Sequence, residues 1–313
     1  MNNKKNILKA IIALILIGFL FGYLVDFGKF IETLRSIKIS YLLIGIFFLI
    51  SSVFISAFRW KYLLSIRNAK MNYFTAVKEY LIGMFFNNFL PSSVGGDVSR
   101  MIGATKATGK KEIAVSSVIV ERIIGLVALL ILGVVGIIYL DILQDTLFLY
   151  LALTLLAFVI GMFLILINQT TNLKFTLFLE KIFKKKFTFL ADFRDYSNLS
   201  YKLFYVLLIS FVFRIVEGLF VYFIVLSIGI ELSYLHAIVF FATIGIIKMI
   251  PIAPNGLGLS AVSWVYLLEF MSISAEMSAS LDFLIITTSL LVSSSGGILW
   301  MLNGKKEKNK KRA

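Results

Sequence analysis

Six times along its length this chain stays apolar for long enough to cross a lipid bilayer, and that restricts its fold more than any other feature. The runs fall at approximately 7–25, 41–58, 115–140, 147–167, 203–227 and 280–302. A hydrocarbon core of about 30 Å takes about 20 helical residues to cross. No water is present there to pair backbone amides and carbonyls, so each crossing must satisfy its own hydrogen bonds as a helix. Composition agrees: 59% of the 313 residues are hydrophobic and 15% are charged, against about 45–50% and about 25% in soluble chains. The expected fold is an all-α polytopic membrane protein, one membrane domain of six full crossings ending in a basic tail over 303–313.

Charge placement sets topology and partners. The net charge is +14, from 31 Lys and Arg against 17 Asp and Glu. Lys4, Lys5 and Lys9 precede the first run, Arg59, Lys61, Arg67 and Lys70 follow the second, and Lys106, Lys110 and Lys111 precede the third. The 168–202 connection carries Lys174, Lys181, Lys184, Lys185, Lys186, Arg194 and Lys202. By contrast, 141–146 has Asp141 and Asp145, and 228–234 has Glu231. The 26–40 connection is mixed, with Lys29, Arg35 and Lys38 against Asp26 and Glu32. Cations confined to connections and termini point to lipid headgroups as partners, not nucleic acid, and put both termini in the cytoplasm. No A-x-A-like site precedes Asp26, so the first run is expected to be a retained span.

Two intervals, 74–104 and 235–270, interrupt the pattern. They hold all three prolines, Pro91, Pro251 and Pro254, with Gly95 and Gly96 in the first and Gly256 and Gly258 in the second. Proline removes a helix donor, and glycine lets the backbone turn or approach a ligand. Each interval therefore predicts helix, break and helix, as in a re-entrant hairpin. Each follows the second crossing of a half and precedes the third, the halves being 7–140 and 147–302. Three crossings per half would set the second half upside down, the inverted-repeat arrangement in which paired broken helices mark a transport site.

The first interval contains "NNFLPSSVGGDVSR", Asn87 to Arg100. Asn87, Asn88, Ser92, Ser93 and Asp97 can satisfy a broken backbone. With the amides of Gly95 and Gly96 at a helix start and the charge of Arg100, they also suit a phosphate. Ionisable residues deep in a membrane cost about 2.5–3.5 kcal/mol each on insertion scales. Arg214 lies about 16 Å along its run, and Glu217 shares its helical face. The two are either a self-neutralised packing pair or an anion site at Arg214 tuned by Glu217. Glu121 and Arg122 open the third run about 100° apart, with Arg122 able to snorkel to headgroups. Lys248 precedes Pro251 by three residues.

Other chemistry finds no support. There is no cysteine and one histidine, His236, so neither a metal site nor a cofactor is expected. "GATKATGKK", Gly103 to Lys111, lacks P-loop spacing and has Lys111 where Ser or Thr is needed. Asp192 and Asp195 belong to a basic, solvated connection. Asn168 and Asn198 open glycosylation sequons on the face predicted to be cytoplasmic. Gly18 and Gly22 form a GxxxG suited to close packing inside the chain.

"NNFLPSSVGGDVSR", "VIVERIIGL" at Val118 to Leu126 and "PIAPNGLG" at Pro251 to Gly258 together resemble one family over roughly 7–302. It is the lysylphosphatidylglycerol synthase transmembrane, or flippase-like, family of bacteria and archaea. The resemblance implies movement or binding of an anionic phospholipid or a polyprenyl-phosphate-linked lipid in the cytoplasmic membrane. It assigns motif positions to Asn87, Asn88, Pro91, Gly95, Gly96, Asp97, Arg100, Glu121 and Arg122. Related multiple peptide resistance factors join such a region to a soluble domain that transfers lysine to phosphatidylglycerol. The sequence given ends at Ala313, directly after the last span, so the translocation half is implied and the transfer half is not. Family members usually carry an acidic residue after the last Gly-x-Gly, where Ala261 stands here. The leading expectation is a lipid translocase using these residues with Arg214, Glu217, Lys248, Pro251, Gly256 and Gly258. A membrane component of lipid modification working with a transferase subunit, and a non-catalytic scaffold, are the alternatives.

Overall fold

An apolar run continues as helix until a polar side chain takes over the amides of the next turn, and two such residues shape this chain. The computed structural model describes residues 11–12, 14–89, 95–140, 146–183, 196, 200–248 and 256–310. Among them every element is a helix: α1 (Leu14–Leu24, ending in a π-helical turn over Leu20–Leu24), α2 (Phe27–Arg35), α3 (Ile39–Ile66), α4 (Tyr73–Phe89), α5 (Gly95–Thr108) and α6 (Lys111–Leu140). There follow α7 (Thr146–Ile167), α8 (Gln169–Phe183), α9 (Ser200–Ser227), α10 (Tyr234–Ile247), α11 (Leu259–Glu269) and α12 (Ala275–Lys310).

Among the described residues four helices are long and apolar enough to span a bilayer: α3, Lys111–Gly136 of α6, Tyr201–Ser227 of α9 and Ala275–Leu302 of α12. The first and fourth expected crossings differ from these, because each belongs to a bent pair. The bend is 93° between α1 and α2, and 94° between Leu153–Ile165 of α7 and Thr170–Ile182 of α8. Counting each pair as one span gives six. At the first bend Val25 is extended, and Asp26 caps α2 by accepting the Lys29 N–H at 3.0 Å. At the second, Asn168 accepts the N–H groups of Thr170 and Thr171 at 3.1 Å each, so this sequon asparagine is a helix cap. The connections expected at 26–40 and 168–202 therefore contain helices, and α12 carries the basic tail on to Lys310. The chain is an all-α polytopic membrane protein.

Helices α4 and α5 flank residues 90–94, and α10 and α11 flank 249–255. Pro91, Ser92, Ser93, Pro251 and Pro254 lie outside the described residues, as do Asp192, Asp195 and Asn198. Gly103 is mid-helix in α5 against the Glu79 side chain, which disposes of a phosphate loop there. A Cβ on Gly18 or Gly22 would meet nothing within 4 Å among the described residues.

The chain divides into two units. The first comprises 1–53, 80–99 and 215–313, and the second 54–79 and 100–214. In the first unit, α12 packs on α11 and α2, around Leu20, Val25, Phe30, Ala261, Val265 and Ala279. In the second, α7 packs on α6 and α8, and the core gathers Leu63, Val120, Ile124, Tyr196, Leu203 and Val206.

Candidate functional site

The second unit encloses a cluster of charge. Glu121 of α6 is 1% exposed, and Arg59 of α3 and Arg100 of α5 are each 5% exposed. One carboxylate oxygen accepts from Arg59 Nη2 at 2.8 Å and from Nε at 3.3 Å. The other accepts from Arg100 Nη2. Arg59 also donates through Nη1 to Ser210 Oγ of α9 at 3.0 Å. Arg214, one turn further along α9, donates to the Gly125 carbonyl at 3.3 Å. The position a Gly125 Cβ would take lies 3.6 Å from Arg59 Nη1 and 4.0 Å from Arg214 Nη2, so both guanidiniums reach the same point on α6.

Aromatic faces hold the arginines. Arg100 lies 4.4 Å over the Trp60 ring, while Arg59 and Arg214 stack on Phe213 at 5.1 and 5.0 Å. Trp60 is itself fixed by donating to Ser117 Oγ at 3.1 Å. The same unit also carries an open apolar groove of about 360 Å³, lined by Phe54, Ile55, Phe58, Tyr73, Ile209 and Val212. Phe58 precedes Arg59, and Ile209 precedes Ser210. Helices α3 and α9 thus supply residues both to the cluster and to the groove.

The structure brings Arg100, Glu121 and Arg214 of the expected residues together, and it adds Arg59. That residue reads from the sequence as a cation flanking the second run, but α3 continues seven residues beyond it and buries it. A signal was present. Ser52, Ser56, Trp60 and Leu63 recur at helical spacing and are all buried, which places Arg59 beside an internal face. Arg122 is exposed, as snorkelling requires.

The remaining expected residues fall in the first unit. Gly95 opens α5, and the Gly96 N–H donates to Asn87 Oδ1 at 2.8 Å. A Cβ on Gly96 would collide with the Gly83 carbonyl oxygen and stand 2.6 Å from the Asn87 amide, so α4 and α5 touch where only glycine fits. Asn88 donates to Ser293 of α12 at 2.7 Å, and Asp97 is buried. Glu217 is half-buried.

Further along, Gly258 caps α11 with φ +77°. The half-buried Lys248 lies against Gly256, where a Cβ would come within 2.7 Å of its Cγ. Ala261 is core, and its neighbour Ser260 donates to Asp282 of α12 at 3.1 Å. Sequence reading misses Asp282, because it sits two residues inside the expected last crossing and looks like a boundary charge. The helix in fact begins at Ala275.

Comparison with known proteins places this architecture. The family described as the lysylphosphatidylglycerol synthase TM region matches residues 6–294. The UPF0104 membrane protein PH1989 of Pyrococcus horikoshii is 24% identical over 303 residues, covering 88% of this chain and 90% of its own. No solved structure matches the chain. With its multi-pass helical fold and a match across nearly its whole length, the chain belongs to the lysylphosphatidylglycerol synthase transmembrane-region family, membrane proteins tied to lipid modification or transport.

Proposed function

We propose that the protein is a flippase-like translocase or binding transporter for an anionic lipid of the cytoplasmic membrane, with both termini on the cytoplasmic side. Its substrate is an anionic phospholipid or a polyprenyl-phosphate-linked lipid, held by its phosphate. The observation that carries this is the gathering of Arg59, Arg100 and Arg214 inside one unit of a membrane protein. Arginine forks match phosphate oxygens in two-point contacts. Here Glu121, Trp60 and Phe213 already order those forks, so little side-chain entropy is lost on binding. The Ser56 hydroxyl, fully buried three residues before Arg59, has no hydrogen-bond partner among the described residues and suits a phosphate oxygen. The apolar groove of the same unit suits an acyl or prenyl chain.

The test reconstitutes the protein into vesicles carrying a trace of fluorescent phosphatidylglycerol and follows its loss to a membrane-impermeant quencher. Wild type should expose the inner-leaflet pool that empty vesicles protect. Arg100→Lys, which keeps the charge and loses the fork, should slow this at least about tenfold, or about 1.4 kcal/mol of barrier. Exposure no faster than in empty vesicles would defeat the reading.

The family's description as a synthase region favours a second reading, a membrane component of lipid modification. In that case deletion depletes a modified lipid while leaflet distribution stays normal.

A further inference from the structure

The first unit carries a buried carboxylate of its own in α12. Asp282 is 4% exposed and lies about 10 Å along α12 from its start. An ionisable group at such a place in a spanning helix is costly and is by default a candidate functional site. Its surroundings can be named element by element. From α11 comes Ser260, fully buried and within 3.1 Å of Asp282 Oδ2. From the end of α10 comes Lys248, near enough to act on Asp282 electrostatically. Helix α2 meets α12 through Phe30 against Phe283, while its charged Lys29, Glu32 and Arg35 are exposed. On α12 itself, Glu276 accepts the Asp26 N–H at 3.4 Å.

Ser260 decides what this group can do. Its Oγ lies 3.1 Å from Asp282 Oδ2 and 3.2 Å from the Gly256 carbonyl oxygen, two acceptors for a hydroxyl with a single hydrogen. When Asp282 is ionised, Ser260 donates to the carboxylate, and Lys248 supplies the opposite charge. When Asp282 is protonated, its own O–H donates to Ser260 Oγ, which turns its hydrogen to Gly256. Both states are satisfied by rotating one hydroxyl. Gly256 holds this carbonyl from a backbone with φ +71°, against the Lys248 stem, where no side chain fits.

We propose that Asp282 is a proton-binding site, exchanging its carboxyl proton with water on one side of the membrane, with Ser260 rotating to satisfy both protonation states and Lys248 as counter-charge to the ionised form. The step balances as carboxylic acid to carboxylate plus one proton released to water. It does not depend on which lipid, if any, the arginine cluster binds.

The test is infrared difference spectroscopy of the whole protein in vesicles, titrated in pH and followed at the C=O stretch of protonated carboxyl groups. We expect a band that disappears reversibly as pH rises, shifts on ¹³C labelling of aspartate, and is missing in Asp282→Asn. Ser260→Ala should move its frequency, which keeps the assignment testable should Asp282→Asn fail to fold. In Lys248→Met the band should persist to higher pH, since the ionised form loses its counter-charge. Absence of an aspartate band at every pH would mean a permanent ion pair. A band indifferent to bulk pH would mean a sealed group. Either result overturns the proposal.

Discussion

Glu121 and Asp282 are both carboxylates buried in helices able to span a membrane, and they are held in opposite ways. Glu121 takes three guanidinium N–H bonds from two arginines, one on each oxygen. With a guanidinium on each oxygen, a proton on either one would have to displace an arginine N–H, so the cluster is matched to the ionised form. Asp282 takes one bond from a neutral hydroxyl that has another acceptor within reach. Burial is nearly the same for the two, so it does not distinguish them. What separates a scaffold charge from an exchangeable one is whether its partners can be satisfied in both protonation states.

That contrast is most exposed to removal of the charge. Glu121→Gln leaves two buried guanidiniums without their carboxylate and should cost about 3–5 kcal/mol. Asp282→Asn keeps a group able to bond Ser260 and should cost no more than about 1.5 kcal/mol. Thermal unfolding of the purified variants in detergent compares them directly. Equal losses would break the comparison, making Asp282 as structural as Glu121.

Next in size is Ser210→Ala. It strips Arg59 Nη1 of its acceptor, a hydrogen bond to a charged group, and should cost about 1.5–3 kcal/mol by the same assay. Gly96→Ala should follow at about 1–3 kcal/mol, because the methyl would push α5 off the Gly83 carbonyl. Its effect should be read in folded yield and melting temperature. Unchanged stability would mean that α4 and α5 do not touch there.

Run length and breaker residues made the membrane class, the helices and both interrupted intervals legible, because backbone satisfaction in lipid leaves only helices to choose from. The two bends were not legible, since each turns on one capping residue, Asp26 or Asn168, at the edge of an apolar run. Three of the four members of the arginine cluster were. Arg100, Glu121 and Arg214 stand out as charges in apolar surroundings, whereas Arg59 sits where hydropathy falls and looks like an ordinary flanking cation. Its partner Glu121 lies 62 residues away, and Ser260 is 22 residues from Asp282. Helix pairings at such separations leave no local periodicity, so neither bond could be read from one sequence.

The smallest expected effect is the sharpest on the comparison. Ser260→Ala removes the hydroxyl that partners Asp282 and should cost about 0.5–1.5 kcal/mol, as a neutral hydrogen bond does. The cost should depend on pH in a defined sense. At low pH, where Asp282 is protonated, the loss is a neutral bond among neutral groups. As pH rises and Asp282 ionises, the missing donor is one to a buried anion, so the penalty grows. Ser210→Ala should show no such slope over the same range, since the bond it removes runs from a guanidinium N–H to a hydroxyl and involves no carboxyl. Parallel pH series of unfolding temperature for the two serine variants would separate the sites. A flat profile for Ser260→Ala would mean that Asp282 does not change its protonation in the folded protein.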